Sequence, residues 1–166
     1  ADMNDAYEAN DARKDVSMRN SYTLGANTVQ HNYIVKYLGV PAANLDSDNN
    51  WIVLRYADVL LMAAEAFNRG GIDDGKARTY LNEVRRRAFG DLNHDIAASG
   101  AALTDFIWAE RKLELMGEGH RFFDLVRTNK AATSITGFVT GKHDLFPIPL
   151  EEIQFSNGNW QQNPNY

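Results

Sequence analysis

The sequence predicts a mainly α-helical fold, built on a tetratricopeptide-like helix pair with further helices and long loops. The segment 55–69 carries apolar or small residues on nearly every side of a helix drawn at ~100° per residue. The segment 75–88 carries an apolar stripe of ordinary amphipathic width, made by Ala77, Tyr80, Leu81, Val84 and Ala88. Together they form a unit 55–88, matching the ~34 residues of a tetratricopeptide repeat, with the Ala77-x-x-x-Leu81 spacing of that helix pair.

A chain of 166 residues is long enough for one domain with a single continuous core. No apolar run approaches the ~20 residues that cross a bilayer, because Arg55, Asp58 and Glu65 interrupt the best candidate. A soluble chain is expected. A formal charge of -5 disfavours nucleic acid as a partner, since that ligand rewards a basic surface. The absence of cysteine excludes thiolate catalysis, disulfides and Cys-based zinc sites. The opening residues Ala1-Asp2-Met3-Asn4-Asp5 show no signal peptide. They imply either a cytoplasmic protein or one whose N-terminus has been removed.

Along the chain, the polar region 1–50 contains one extended run, 32–37, read as a short strand. The stretch 41–50 has loop composition. In the first helix, Arg55, Asp58, Glu65 and Arg69 share one narrow stripe, pairing Arg55 with Asp58 and Glu65 with Arg69. The rest is apolar or small, including Tyr56, Val59, Leu60, Leu61 and Phe67, so burial on several sides is expected. Gly70-Gly71 stops this helix. A lone tetratricopeptide unit cannot bury its faces, and about three are needed for a stable stack. The first helix therefore needs neighbours that this chain supplies only in part, which suggests a fragment of a larger protein.

A third helix is expected over 103–116, with Thr104 or Asp105 near its start. A short fourth follows over 120–126, then a polar loop over 128–141. Pro147 and Pro149 hold 145–148 extended. Pro149 suits the first position of a short helix, with Glu151 and Glu152 in its first turn. The remainder, 157–166, reads as a polar loop.

The sharpest chemical feature lies on the third helix. Its apolar face is drawn by Leu103, Phe106, Ile107 and Leu113, and Glu110 and Glu114 fall in the middle of it. Carboxylates there need cations or donors, and Arg55, Arg85, Arg87, Arg111, Arg121 and Arg127 are available. One reading is a general acid and base pair for glycoside hydrolysis. The other, which the helical spacing amid core residues favours, is a carboxylate–guanidinium network that fixes helix docking. On that reading, Glu110→Gln or Glu114→Gln lowers thermal stability without abolishing any turnover.

His31, His94, His120 and His143 show no metal-ligand spacing, and no metal or cofactor is expected. There is no phosphate-binding glycine loop and no Gly-x-Ser-x-Gly elbow. Arg85, Arg86 and Arg87 spread around their helix, which suits ion pairs better than phosphate contacts. Of the tryptophans, Trp51 is expected in the core. Trp108, off the apolar face of its helix, and Trp160, in the tail, are candidate platforms for stacking on sugar rings.

These residues add up to a recognisable pattern. Arg55-Tyr56-Ala57-Asp58-Val59-Leu60-Leu61-Met62-Ala63-Ala64-Glu65-Ala66 resembles the hallmark segment of the SusD/RagB family. Leu81-Asn82-Glu83-Val84-Arg85-Arg86-Arg87-Ala88 resembles its next block. The run from Glu110-Arg111-Lys112-Leu113-Glu114 through Gly117-Glu118-Gly119-His120-Arg121-Phe122-Phe123-Asp124 to Arg127 is similar to the third. Phe146-Pro147-Ile148-Pro149 with Gln162-Asn163-Pro164-Asn165-Tyr166 is similar to the fourth, and Asn10-Asp11-Ala12-Arg13 matches a shorter upstream motif. The blocks stand in family order and reach from about Asp11 to the C-terminus.

The resemblance implies a SusD-like alpha-alpha superhelix in a cell-surface lipoprotein of the outer membrane. It implies a non-catalytic protein that captures oligosaccharides or polysaccharides for a SusC-type TonB-dependent transporter. The chain resembles only the C-terminal part, so the lipid anchor and upstream repeats would lie outside it. The family's ligand contacts fall largely outside these blocks. Arg55, Glu65, Glu110, Arg111, Glu114, Arg121, Asp124 and Arg127 are accordingly read as scaffold. A tetratricopeptide-type protein-interaction scaffold without a sugar site is the alternative.

Overall fold

The computed structural model describes residues 6–38 and 49–166. The opening residues 1–5 and most of the expected loop 41–50 lie outside the described residues. The chain divides into two compact units, Ala1–His120 and Arg121–Tyr166. The described residues are mainly helical, with seven helices and one two-stranded sheet.

In the first unit, a short helix α1 (Arg13–Ser17) leads into an antiparallel hairpin of β1 (Met18–Leu24) and β2 (Asn27–Ile34). Leu24 pairs with Asn27. The turn between them begins at Gly25, with φ +60, a value that a two-residue hairpin turn requires and that glycine meets without steric cost. The extended run expected at 32–37 overlaps only the end of β2. The rest of the hairpin escapes a pattern search because both strands lie mostly in solvent, so no alternation of apolar and polar residues marks them.

Three helices form the centre of this unit: α2 (Tyr56–Arg69), α3 (Asp74–Phe89) and α4 (Gly100–Glu114). Arg55 stands at the extended cap of α2, and Gly70 closes it. Asp73 caps α3 by accepting from the Lys76 amide at 3.0 Å. Gly90 ends α3 with φ +77, the left-handed cap that favours glycine. Helix α4 begins three residues earlier than expected, because Ser99 rather than Thr104 or Asp105 stands at its cap. It ends at Glu114, before a turn in which Gly117 adopts φ +80. A Cβ on Gly117 would come within 2.8 Å of Ile34 Cγ2, so the closing turn of α4 packs directly on β2.

The main core interleaves Leu60, Leu61 and Ala64 of α2 with Ala77, Leu81 and Val84 of α3 and Leu103 and Ile107 of α4. Each fully buried leucine or isoleucine contributes roughly 1.5–3 kcal/mol by leaving water. Tyr7, Met18, Leu113 and Met116 make a second cluster. Two expectations about these helices are corrected. The side of α2 turned to the core carries Asp58, Glu65 and Asn68 with the leucines, whereas Tyr56, Val59 and Met62 face solvent. Phe106 is likewise exposed, because the buried stripe of α4 runs along Leu103, Ile107, Glu110 and Glu114. Arg111 of α4 meets Asp58 of α2 and Arg85 of α3 meets Glu110 of α4, pairings that helical period alone does not register.

The second unit holds α5 (Arg121–Arg127), α6 (Ala131–Ser134) and α7 (Leu150–Phe155). Helix α5 is shifted by one residue from its expected position, and α6 is a single turn inside the expected polar loop. Pro149 stands at the cap of α7 rather than at its first helical position. The proline-flanked stretch is held by side chains in place of a neighbouring strand. Gln162 accepts from the Ile148 amide and donates to the Ile148 carbonyl, both at 2.8 Å. Asn163 donates to the Phe146 carbonyl at 2.7 Å, and the Tyr166 hydroxyl donates to Leu145 at 2.9 Å. Prolines 147 and 149 have no N–H for a ladder. One amide side chain satisfies the residue between them, which ties two distant sequence blocks together.

Candidate functional site

The densest concentration of chemistry in the first unit is a charge cluster at the C-terminal half of α4. Helical spacing puts Glu110 and Glu114 one turn apart on the buried face, and they are 1% and 2% exposed. Arg13 reaches both: its Nη1 donates to Glu110 and, at 2.9 Å, to Glu114. The same guanidinium is fixed by Asp11 at 2.8 and 2.6 Å. The second oxygen of Glu110 accepts from Arg85 Nη1 at 2.8 Å. Oε1 of Glu114 accepts from Arg55 and Arg87, both at 2.5 Å.

Glu118, in the turn after α4, completes the cluster. It accepts from Arg55 at 2.7 and 2.9 Å and from Lys36 at 2.5 Å. Lys36 and Arg55 also donate to the Glu114 carbonyl at 2.6 and 2.5 Å, which places cations on the negative end of the α4 dipole. The cations Arg13, Lys36, Arg55, Arg85 and Arg87 meet the carboxylates Glu8, Asp11, Glu110, Glu114 and Glu118. The charges balance. A cavity of about 230 Å³ opens beside them, lined by Arg13, Lys36, Arg55, Arg87, Glu114 and Glu118.

Burial alone would raise the Glu114 pKa. Hydrogen bonds from Arg55 and Arg13, with the charges of Arg87 and Arg55, overcome it and hold the carboxyl down to about 2. Burial is also opposed at Glu118, where Arg55 and Lys36 keep the pKa below the usual range. Burial lowers Lys36. A general acid for glycoside hydrolysis needs a raised pKa and a free proton. Glu114 has the opposite character, with guanidiniums on both of its oxygens.

The depressed pKa carries a pH dependence. A carboxyl at about 2 in the fold and 4.5 outside it binds more protons when unfolded, so ionised Glu114 stabilises the fold at neutral pH. That contribution, on the order of 3 kcal/mol, is lost as pH falls from 4.5 towards 2. We expect the urea midpoint to drop steeply across this window. A midpoint unchanged between pH 5 and pH 3 would contradict the linkage.

The other candidate residues are placed as follows. Arg111 donates to Asp58 at 2.7 Å, so the expected Arg55–Asp58 pair is replaced by contacts from each to α4 or its closing turn. Glu65 and Arg69 are paired at 3.0 Å. In the second unit, Asp124 accepts from Arg127 at 2.7 Å, and burial lowers the Arg121 pKa against the pull of Asp124. Sequence reasoning did not select Arg13, Lys36 or Glu118 for the cluster. The motif Asn10-Asp11-Ala12-Arg13 was visible, but its position 97 residues from Glu110 hid the link.

Among the aromatic candidates, Trp108 is half-buried, with the Arg69 guanidinium 5.6 Å from its ring centre. Trp160 is 53% exposed in the tail, where its amide donates to the Ser156 hydroxyl at 3.0 Å. Trp51 is 62% exposed rather than in the core. It stacks on Tyr37 with centroids 5.1 Å apart and planes within 2°. Closeness in sequence to a buried helix did not determine where its ring points. Among the described residues, no group of three or more His, Asp or Glu could hold a metal ion, and no helix is long and apolar enough to cross a membrane.

Residues 3–145 match the SusD family. The SusD-like protein P25 of Formosa agariphila is 35% identical over 161 residues, covering 82% of this chain and 30% of that protein. A SusD superfamily structure from Parabacteroides distasonis superposes with a TM-score of 0.78 at 30% identity, covering 98% of this chain and 41% of the other. A laminarin-binding SusD-like protein superposes with a TM-score of 0.74 at 31% identity, covering 94% of this chain and 35% of that one. The matches span between 22% and 30% of the length of the curated relatives.

Proposed function

This chain belongs to the SusD family, and from that membership we propose that it is part of a protein that captures oligosaccharides at the cell surface without cleaving them. The captured glycan passes to a SusC-type TonB-dependent transporter, and a lipid anchor on an upstream N-terminus holds the protein at the outer membrane. The observation that carries this reading is the match over residues 3–145, with a laminarin-binding protein among the structural neighbours. The charge cluster supports the non-catalytic part. Both oxygens of Glu110 and of Glu114 are engaged by guanidiniums, so neither side chain offers a free oxygen to a substrate. Arg55, Glu65, Glu110, Arg111, Glu114, Arg121, Asp124 and Arg127 then act as scaffold.

Trp160 is the better glycan platform of the two tryptophan candidates, because its side chain is exposed whereas the Trp108 ring lies under Arg69. Affinity electrophoresis in gels containing laminarin and other polysaccharides, with released sugar assayed in parallel, tests the whole reading. We expect retardation without sugar release. Trp160→Ala is expected to weaken it roughly tenfold, the equivalent of ~1.4 kcal/mol, and Trp108→Ala to change it less. Absence of retardation in every gel would favour the second reading, a tetratricopeptide-type scaffold without a sugar site. Sugar release would restore Glu110 and Glu114 as catalysts.

A further inference from the structure

The second unit contains a cavity of about 210 Å³, formed by α5, α6 and the loop that follows them. Val126, Ala131 and Phe138 give it an apolar lining, and Asn129, Thr140 and Asp144 add polar side chains. It is smaller than the ~300–1,000 Å³ of pockets for drug-sized ligands, and its size suits a single small ring. The loop that walls it is cross-braced. The Gly141 amide donates to Asp144 Oδ2 at 2.8 Å, and the Gly141 carbonyl accepts from Asn165 at 3.0 Å. The Val139 amide donates to His143 Nδ1 at 2.9 Å, and the His143 ring meets Phe138 edge-on with centroids 5.7 Å apart. A wall held in this way needs little further ordering when a ligand enters.

One group in that wall is unmet. Asp144 Oδ1 is shielded from bulk solvent and accepts no hydrogen bond among the described residues. A shielded carboxylate oxygen without a donor is costly. Asp144 as a whole is half-buried, and the torsion that turns its carboxylate is soft, so a donor entering the cavity can reach it. We infer that this cavity holds one neutral sugar residue of the captured glycan. Its hydroxyls donate to Asp144 and exchange hydrogen bonds with Asn129 and Thr140, while its C–H face lies on Phe138 and Val126. A pyranose carries both characters, hydroxyls around an apolar face, and the lining offers the complement of each. Asp144 is the charged residue among those lining the cavity, so a uronate or sulfated residue would meet like charge, which selects against it. The inference rests on the glycan-capture reading and adds to it a site that neither Trp108 nor Trp160 lines.

Amide NMR spectra of this chain, titrated separately with glucose, galactose, mannose, xylose and glucuronate, test it. At least one neutral sugar is expected to shift the amides of Asn129, Thr140 and Gly141 saturably, with glucuronate binding roughly tenfold more weakly. Asp144→Asn keeps an acceptor for the Gly141 amide, and is expected to weaken the neutral sugar roughly tenfold and to remove the discrimination against glucuronate. Ala132→Phe, which fills the cavity from an exposed position of α6, is expected to abolish the response with Asp144 intact, and serves as the second variant should Asp144→Asn disturb the loop. Silence of these amides with every neutral sugar would overturn the inference, as would equal binding of glucuronate or unchanged affinity in both variants. So would a response to calcium chloride or methylammonium in place of sugar, which would make the cavity a cation site. The polysaccharide gels separate this failure from that of the reading beneath it. Retardation with silent amides removes the pocket and leaves glycan capture standing, whereas silent amides without retardation in any gel remove both.

Discussion

Glu114→Gln is expected to destabilise the chain by about 3–5 kcal/mol, the cost of breaking a buried ion pair from one side. Three guanidiniums, from Arg13, Arg55 and Arg87, converge on this carboxylate. The substitution leaves them without its charge, and if the side-chain amide turns inward it faces another donor. Domains of this size have a total stability of roughly 5–15 kcal/mol, so much of the folded state is at stake. Urea denaturation at pH 7 measures the loss, and Glu83→Gln on the exposed side of α3 should shift it by less than about 0.5 kcal/mol. The gap between wild type and Glu114→Gln should close as pH falls below 4.5, where wild-type Glu114 loses its own advantage. Unchanged stability together with loss of a sugar-releasing activity would reverse the assignment and make Glu114 catalytic.

Leu61→Ala and Met62→Ala, adjacent in sequence, should behave as opposites. Leu61 is fully buried within the cluster formed by α2, α3 and α4, and its truncation should cost about 2–5 kcal/mol through lost transfer energy and the cavity left behind. Met62 faces solvent, and in this chain its truncation should cost less than about 0.5 kcal/mol. Thermal and urea unfolding of the two variants decides which face of α2 is internal. Equal costs would mean that a further element covers Met62 even in this chain.

Much of the helical architecture was legible in the sequence because its signals are local. Period and glycine punctuation placed α2, α3 and α4, and Pro149 with its acidic neighbours placed α7. All of these act within a few residues, so a single sequence records them. The hairpin was only partly legible, because strands that bury little carry no apolar alternation.

Glu110 and Glu114 stood out for a local reason too: two carboxylates on an apolar helical stripe conflict with burial unless cations meet them. Which cations meet them is not a local property. Arg13 and Lys36 arrive from segments far from α4, whereas nearby Arg111 turns to Asp58 instead. The exposed stripe of α2 teaches the same lesson. Its sequence is apolar on almost every side, and the position of α3 and α4 selects which apolar residues are covered. The sequence by itself therefore determined α2, α3, α4, α5 and α7, the family resemblance and the need for a charge network. The tertiary structure alone decided the partners in that network and the direction in which Trp51, Phe106 and Met62 point. Secondary structure is set by interactions between near neighbours, whereas ion pairing and burial are set by whatever the folded chain brings alongside.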